Sequence, residues 1–259
     1  MLLAGVYQFA PPFLLALFRV AGMMVFAPLF GSVKIPKRVR ALLAIILAFG
    51  LIPVIRVPAT LPASSWSLAV AIGGELVFGL VIGKIMSLVF IAAQWAGEMI
   101  GQQMGLNLSE VFDPQFGSQG SIVGDMYFML TLVAFLGVGG HHAMLRGVRQ
   151  SFDSLPLLSV GVDRPVLAMV IGLLQASTTL ALRLAAPMLL TMLVTDLALG
   201  LIGRTMPQFN VMQAGMSLRT VLGMVVVIAA LGFTMPVIAE ALHKSMDAAS
   251  RAWAGMAAT

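Results

Sequence analysis

Cysteine is absent from all 259 residues of the chain. That excludes disulfides, thiol catalysis and cysteine-ligated metal centres. Charge is scarce as well. Only 10% of residues are Asp, Glu, Lys or Arg, where a soluble globular domain carries about 25%. With 60% hydrophobic residues and a mean hydropathy of +1.02, the chain lacks enough polar surface to face water. The reading is an integral membrane protein. The net charge of +5 is small and reads as scattered, whereas nucleic-acid binding needs basic residues clustered on one face. Alternating strand patterns are missing too, because the apolar segments are too long and too continuous. The expected fold is therefore all-α: a polytopic helical membrane protein built of long broken helices and helical hairpins. The N-terminal stretch lacks the basic region and cleavage site of a secretory signal, so it is expected to stay as the first membrane segment.

Apolar segments are read at about 6–30, 41–55, 66–103, 125–138, 165–202 and 216–242. The first is interrupted by Pro11-Pro12 and Arg19, and Pro187 is expected to kink the fifth. The third is far longer than a bilayer's roughly 30 Å requires. It is either two helices broken at Gly79 or Gly83, or one long helix that leaves the membrane plane. Residues 139–164, with His141-His142, read as a mixed polar connection, and residues after 242 as an amphipathic helix end. Residues 165–250 read as a self-contained helical hairpin. The basic residues of the loop at 31–40 place it in the cytoplasm, against the lone Arg56 of the next loop.

Polarity is concentrated in 97–124. Its first half carries Gly97, Gly101 and Gly105, in register with Ala93. Small residues four apart let helix backbones approach closely where no hydrophobic force drives association. Spacing alone leaves open whether the contact lies within the chain or between chains. Its second half holds Leu106, Asn107, Ser109, Glu110, Phe112, Asp113, Pro114, Gln115 and Phe116, a loop that must sit in water, in protein or in a pore.

Ionisable groups within the apolar runs are Arg19, Glu75, Lys84, Glu98, Arg183 and Asp196, with Arg204 at the end of the fifth run. Each costs roughly 2.5–3.5 kcal/mol at the bilayer centre, so each needs a partner or water. Helix-to-helix and inter-subunit salt bridges are favoured over an ion pathway. Glu75 and Lys84 fall on opposite faces of one helix and cannot pair. His141-His142 has no third ligand at helical spacing, so no metal or other cofactor is expected. No nucleophile–base pair or phosphate-binding loop appears, so no enzyme is expected. A secondary transporter of a small solute stays open as an alternative.

Taken in order, several motifs resemble a known family. They are Arg19 with Pro36-Lys37-Arg38-Val39-Arg40, Gly74-Glu75 with Gly79 and Gly83, and Gly97 with Gly101, Gln103 and Gly105. Asp113-Pro114, Gly140-His141-His142, Ala186-Pro187, Asp196, and Arg204 with Pro207-Gln208-Phe209-Asn210 complete the set. Together they are similar to the FliR-like family of the type III export gate, with counterparts in virulence secretion. The resemblance implies a FliP-like part over 1–164 and a FliQ-like hairpin and tail over 165–259. It implies assembly with FliP and FliQ homologues into a pore-forming ring in the bacterial inner membrane, at the flagellar basal body. Other implied partners are FlhB-like and FlhA-like membrane proteins, exported unfolded proteins and membrane lipid, with no nucleic acid. It further implies that residues 106–121 plug the closed channel, and that Arg19, Glu75, Lys84, Glu98, Asp196 and Arg204 are inter-subunit charges.

Overall fold

The computed structural model describes residues 2–28, 30–31, 35–55, 64–106, 121–154, 157–158, 164–206 and 211–256. These residues are mostly helical and carry no strand. In order they form α1 (Leu2–Phe26), α2 (Lys37–Leu51) with a short 3-10 turn at Ile52–Val54, and α3 (Ser65–Gln103). Then come α4 (Ile122–Gly137), α5 (Gly140–Ser154), α6 (Arg164–Thr205) and α7 (Val211–Met256).

Several boundaries differ from the sequence reading. α1 runs through Pro11 and Pro12, whose fixed φ suits a helix although their missing N–H groups cost two ladder bonds. The third segment is one helix, unbroken at Gly79 and Gly83. At 1.5 Å per residue its 39 residues extend for roughly 58 Å, about twice a bilayer core. The stretch read as a polar connection is largely helix α5. Its apolar residues recur at helical spacing (Met144, Val148, Phe152), and that side is buried. α7 likewise continues unbroken to Met256, through Pro236.

Three helical stretches are long and apolar enough to cross a membrane: Trp66–Gln103, Ile171–Thr205 and Ala214–Ala248. Ile122–Gly137 with Gly140–Asp153 passes the same test as one broken span. Within these apolar helices the hydroxyls of Thr131, Thr191, Thr195 and Thr234 donate to the carbonyl four residues earlier. Such a bond satisfies a polar group that lipid cannot.

The chain forms two compact units that do not follow chain order. One comprises Met1–Leu88, Gly139–Leu174 and Leu242–Thr259, and the other Val89–Val138 and Gln175–Ala241. In the first, Leu15, Met23 and Met24 of α1 are fully buried, and Ile82 and Ile85 of α3 and Phe152 of α5 are buried with them. In the second, Phe90 is packed by Phe128 at 5.6 Å and by Phe135 edge-on at 5.5 Å between ring centroids.

Candidate functional site

Two clusters within the described residues hold polar chemistry in apolar surroundings. The first is in the unit that contains α1, α2 and α5. Its α1–α3 contact is made by glycine. A Cβ on Gly22 would strike the backbone at Leu76, Gly79 and Leu80, one on Gly79 the backbone of Arg19 and Met23, and one on Gly83 the backbone of Met23. Bare backbone against bare backbone brings the two helices close enough for Arg19 and Glu75 to meet across the seam.

They meet without water. Arg19 is 0% exposed and Glu75 1%, and Arg19 Nε donates to Glu75 Oε2 at 2.5 Å. A second nitrogen of the guanidinium is also engaged. Nη1 donates to the Ser151 carbonyl at 3.2 Å and lies 3.5 Å from its Oγ. The guanidinium carbon stands 4.3 Å from the centre of the Phe152 ring and 5.0 Å from that of Phe78, with rings on which a desolvated cation is stabilised. The second carboxylate oxygen, Glu75 Oε1, accepts the Leu158 N–H at 3.2 Å. Leu158 has a φ of +75°, the left-handed region a leucine seldom occupies. One ion pair therefore ties α1, α3, α5 and the turn at 157–158 together.

The resemblance implied that Arg19 and Glu75 are inter-subunit charges; here the two face each other within one chain. They are each other's partner within the chain, because two lone buried charges would each carry a desolvation cost of several kcal/mol. Lys84 is exposed, with its ammonium 5.1 Å from the Phe26 ring centre. The His141 and His142 rings lie side by side, with centroids 4.1 Å apart and planes tilted by 43°. No group of three His, Cys, Asp or Glu is assembled among the described residues.

The second cluster lies in the other unit and brackets residues 107–120. Gly97 is buried, and a Cβ there would fall 2.5 Å from the Val123 carbonyl oxygen and 2.7 Å from Gly124 Cα. Gly124 presses back: its Cβ would lie 3.2 Å from Glu98 Cγ and 3.3 Å from the Gln94 carbonyl oxygen. Gly101 is buried on the same helix. Gly105 has a different task. With a φ of +75° it stands just past the end of α3, its N–H bonded to Gln102 O and that of Leu106 to Gly101 O, both at 3.0 Å. That pair of bonds is a Schellman cap, which needs a residue free of Cβ strain. The next free carbonyl, that of Met104, accepts the Thr220 hydroxyl at 3.0 Å. On the far side Ser121 caps α4, its Oγ accepting the Gly124 N–H at 3.4 Å. Both ends of the bracket are thus closed by specific caps and joined by the Gly97–Gly124 contact. Asn107, Ser109, Glu110, Phe112, Asp113, Pro114, Gln115 and Phe116 lie outside the described residues; Leu106 is exposed in the capping turn.

In this second unit α6 and α7 run antiparallel, with Leu199 against Gly215 and Met188 against Gly223. Asp196 Oδ1 pairs with Arg219 Nη2 at 2.6 Å, both about two-fifths exposed. The sequence reading had not connected Asp196 with Arg219, since their closeness depends on the α6–α7 register. Arg204 is exposed near the end of α6. Replacing Gly97 by leucine is expected to push α4 off α3 and cost about 1–3 kcal/mol or more by overpacking. The check is limited proteolysis: cleavage near residues 105–122 should become at least several-fold faster than in the wild type.

The sequence matches the family model described as bacterial export proteins, family 1, over residues 10–245. It is 30% identical over 240 residues to the flagellar biosynthetic protein FliR of Bacillus subtilis (strain 168), covering 92% of each chain. To the FliR of Escherichia coli (strain K12) it is 30% identical over 226 residues, covering 86% of this chain and 84% of that one. To the surface presentation of antigens protein SpaR of Shigella flexneri it is 26% identical over 153 residues, 59% of each chain.

Proposed function

The chain belongs to the bacterial export proteins, family 1, and from that membership we propose that it is a pore-lining subunit of the flagellar type III protein-export gate. It works in the inner membrane with FliP and FliQ homologues, its 1–164 part resembling the first and its 165–259 part the second. FlhB-like and FlhA-like proteins are the further membrane partners, and unfolded flagellar proteins the cargo. The observation that carries the reading is 30% identity to a FliR protein across 92% of both chains. The flagellar reading is preferred over a virulence apparatus because the match to SpaR is weaker and spans only 59% of the chain.

Residues 106–121 are the proposed channel plug. What supports this is their frame: two capped helix ends drawn together by the Gly97–Gly124 contact give a polar loop a rigid base. Gly101 belongs to that packed face, and leucine there is expected to disturb complex assembly on native gels. Glu98, Lys84, Asp196 and Arg204 remain the proposed inter-subunit charges.

The test is mild-detergent purification of the tagged chain with mass spectrometry of what accompanies it. FliP and FliQ homologues in a stable complex are expected. A chain that purifies alone and supports solute uptake would favour the transporter reading. For the plug, removing residues 107–120 is expected to make membranes carrying the assembled gate leak ions at least tenfold faster. A deletion complex as tight as the wild type would remove the assignment.

A further inference from the structure

The positive charge of this chain is less scattered than its total suggests. Lys34, Lys37, Arg38, Arg40 and Arg56 are five of its 15 basic residues, and no acidic residue occurs before Glu75. That leaves 10 basic residues against 10 acidic ones elsewhere, so residues 31–56 account for the whole net charge of +5.

Helix α2 begins within this stretch. It packs on one side through buried Ala44 and Ala48. Another side, about 110° round the helix, is open: Leu42 is 57% exposed, Ile45 44% and Phe49 70%. At about 100° per residue, Arg38, Leu42, Ile45 and Phe49 fall within roughly 60° of one line along the helix. Arg38 is exposed at the head of that line, and Lys37, also exposed, precedes it about 100° round the helix. Neither α1 nor α2 contains an acidic residue to neutralise them.

The dimensions select an occupant. All 15 residues of α2 reach only about 22 Å, too short to cross a core of roughly 30 Å. The apolar line from Arg38 to Phe49 is about 16 Å long, close to the depth of one leaflet. A cationic head followed by one leaflet's depth of apolar surface is the complement of a phospholipid with an anionic headgroup. A partner helix would need no charge at that end, and an acidic soluble segment would leave the apolar line uncovered.

We propose that α2 is a docking surface for the anionic phospholipids of one leaflet, with Lys37 and Arg38 holding the headgroup and Leu42, Ile45 and Phe49 lying along the acyl chains. The proposal rests on the membrane reading but not on any partner subunit, so its failure leaves the copurification test untouched.

The experiment uses the full chain in whatever complex it forms, in mild detergent. Dioleoylphosphatidylglycerol and dioleoylphosphatidylcholine are titrated separately and bound lipid is counted by native mass spectrometry. Phosphatidylglycerol is expected to bind wild type at concentrations at least fivefold below phosphatidylcholine. The double variant Lys37→Gln/Arg38→Gln is expected to lose that preference. Phe49→Ser is expected to weaken both lipids alike. All three side chains are exposed, so the thermal midpoint should stay unchanged, and this is checked in parallel. Equal binding of the two lipids to wild type, or an unchanged preference in the double variant, overturns the proposal. So does capture of an acidic protein that the double variant loses while its lipid binding stays the same.

Discussion

Arg19→Leu is expected to lower the thermal unfolding midpoint of the detergent-purified protein by roughly 10 °C, the equivalent of about 3–5 kcal/mol. The cost arises less from the lost attraction than from what stays behind. Glu75 keeps its 1% exposure and its bond from the Leu158 N–H, but loses its counter-charge at 2.5 Å. The Ser151 carbonyl loses its donor and the Phe78 and Phe152 rings lose the cation between them. Glu75→Leu should cost a similar amount for the mirror reason, an uncompensated buried guanidinium. The double variant Arg19→Leu/Glu75→Leu separates the two contributions. Well-packed apolar residues replace a buried ion pair at little cost, so it should recover more than half of the single-variant loss. A double variant as unstable as the sum of the singles would show that the pair acts independently of its charge.

Gly79→Leu is expected to abolish accumulation of folded protein. The milder Gly79→Ala should already destabilise by about 1–3 kcal/mol. A Cβ at this position collides with the Arg19 carbonyl, so α1 and α3 must move apart, and the Arg19–Glu75 pair is stretched at the same moment. Gly73 on the same helix provides the control, because a Cβ there meets nothing within 4 Å. Gly73→Ala is expected to be neutral or stabilising, by at most about 1 kcal/mol, through helix propensity alone. The same chemical change twice in one helix, six residues apart, should therefore differ in sign. Thermal midpoints of the two variants decide it.

The glycines illustrate how far the sequence carries. Spacing at four residues marked the series from Gly97 to Gly105 as close-packing positions, whereas Gly79 and Gly83 read as possible breaks. It did not distinguish members of a series. Gly97 faces Val123 and Gly124, whereas Gly105 ends the helix in a left-handed turn, because the identity of a glycine does not say whether its neighbour is another helix or a cap. Polarity likewise concealed α5. A helix whose exposed side carries His142, Arg146 and Arg149 lowers the average hydropathy of a stretch even when its other side is core.

Composition alone determined that this chain is apolar, cysteine-free and helical, since 10% charge leaves no means of covering a core with water-compatible residues. The order of its motifs determined the family. The partners of its paired charges were decided only by tertiary structure. Arg19 and Glu75 are 56 positions apart, and Asp196 and Arg219 pair only in one register of α6 on α7. Nothing local in either sequence stretch specifies such a meeting. It follows from which backbones can approach, and here glycine and small side chains on facing helices set that approach.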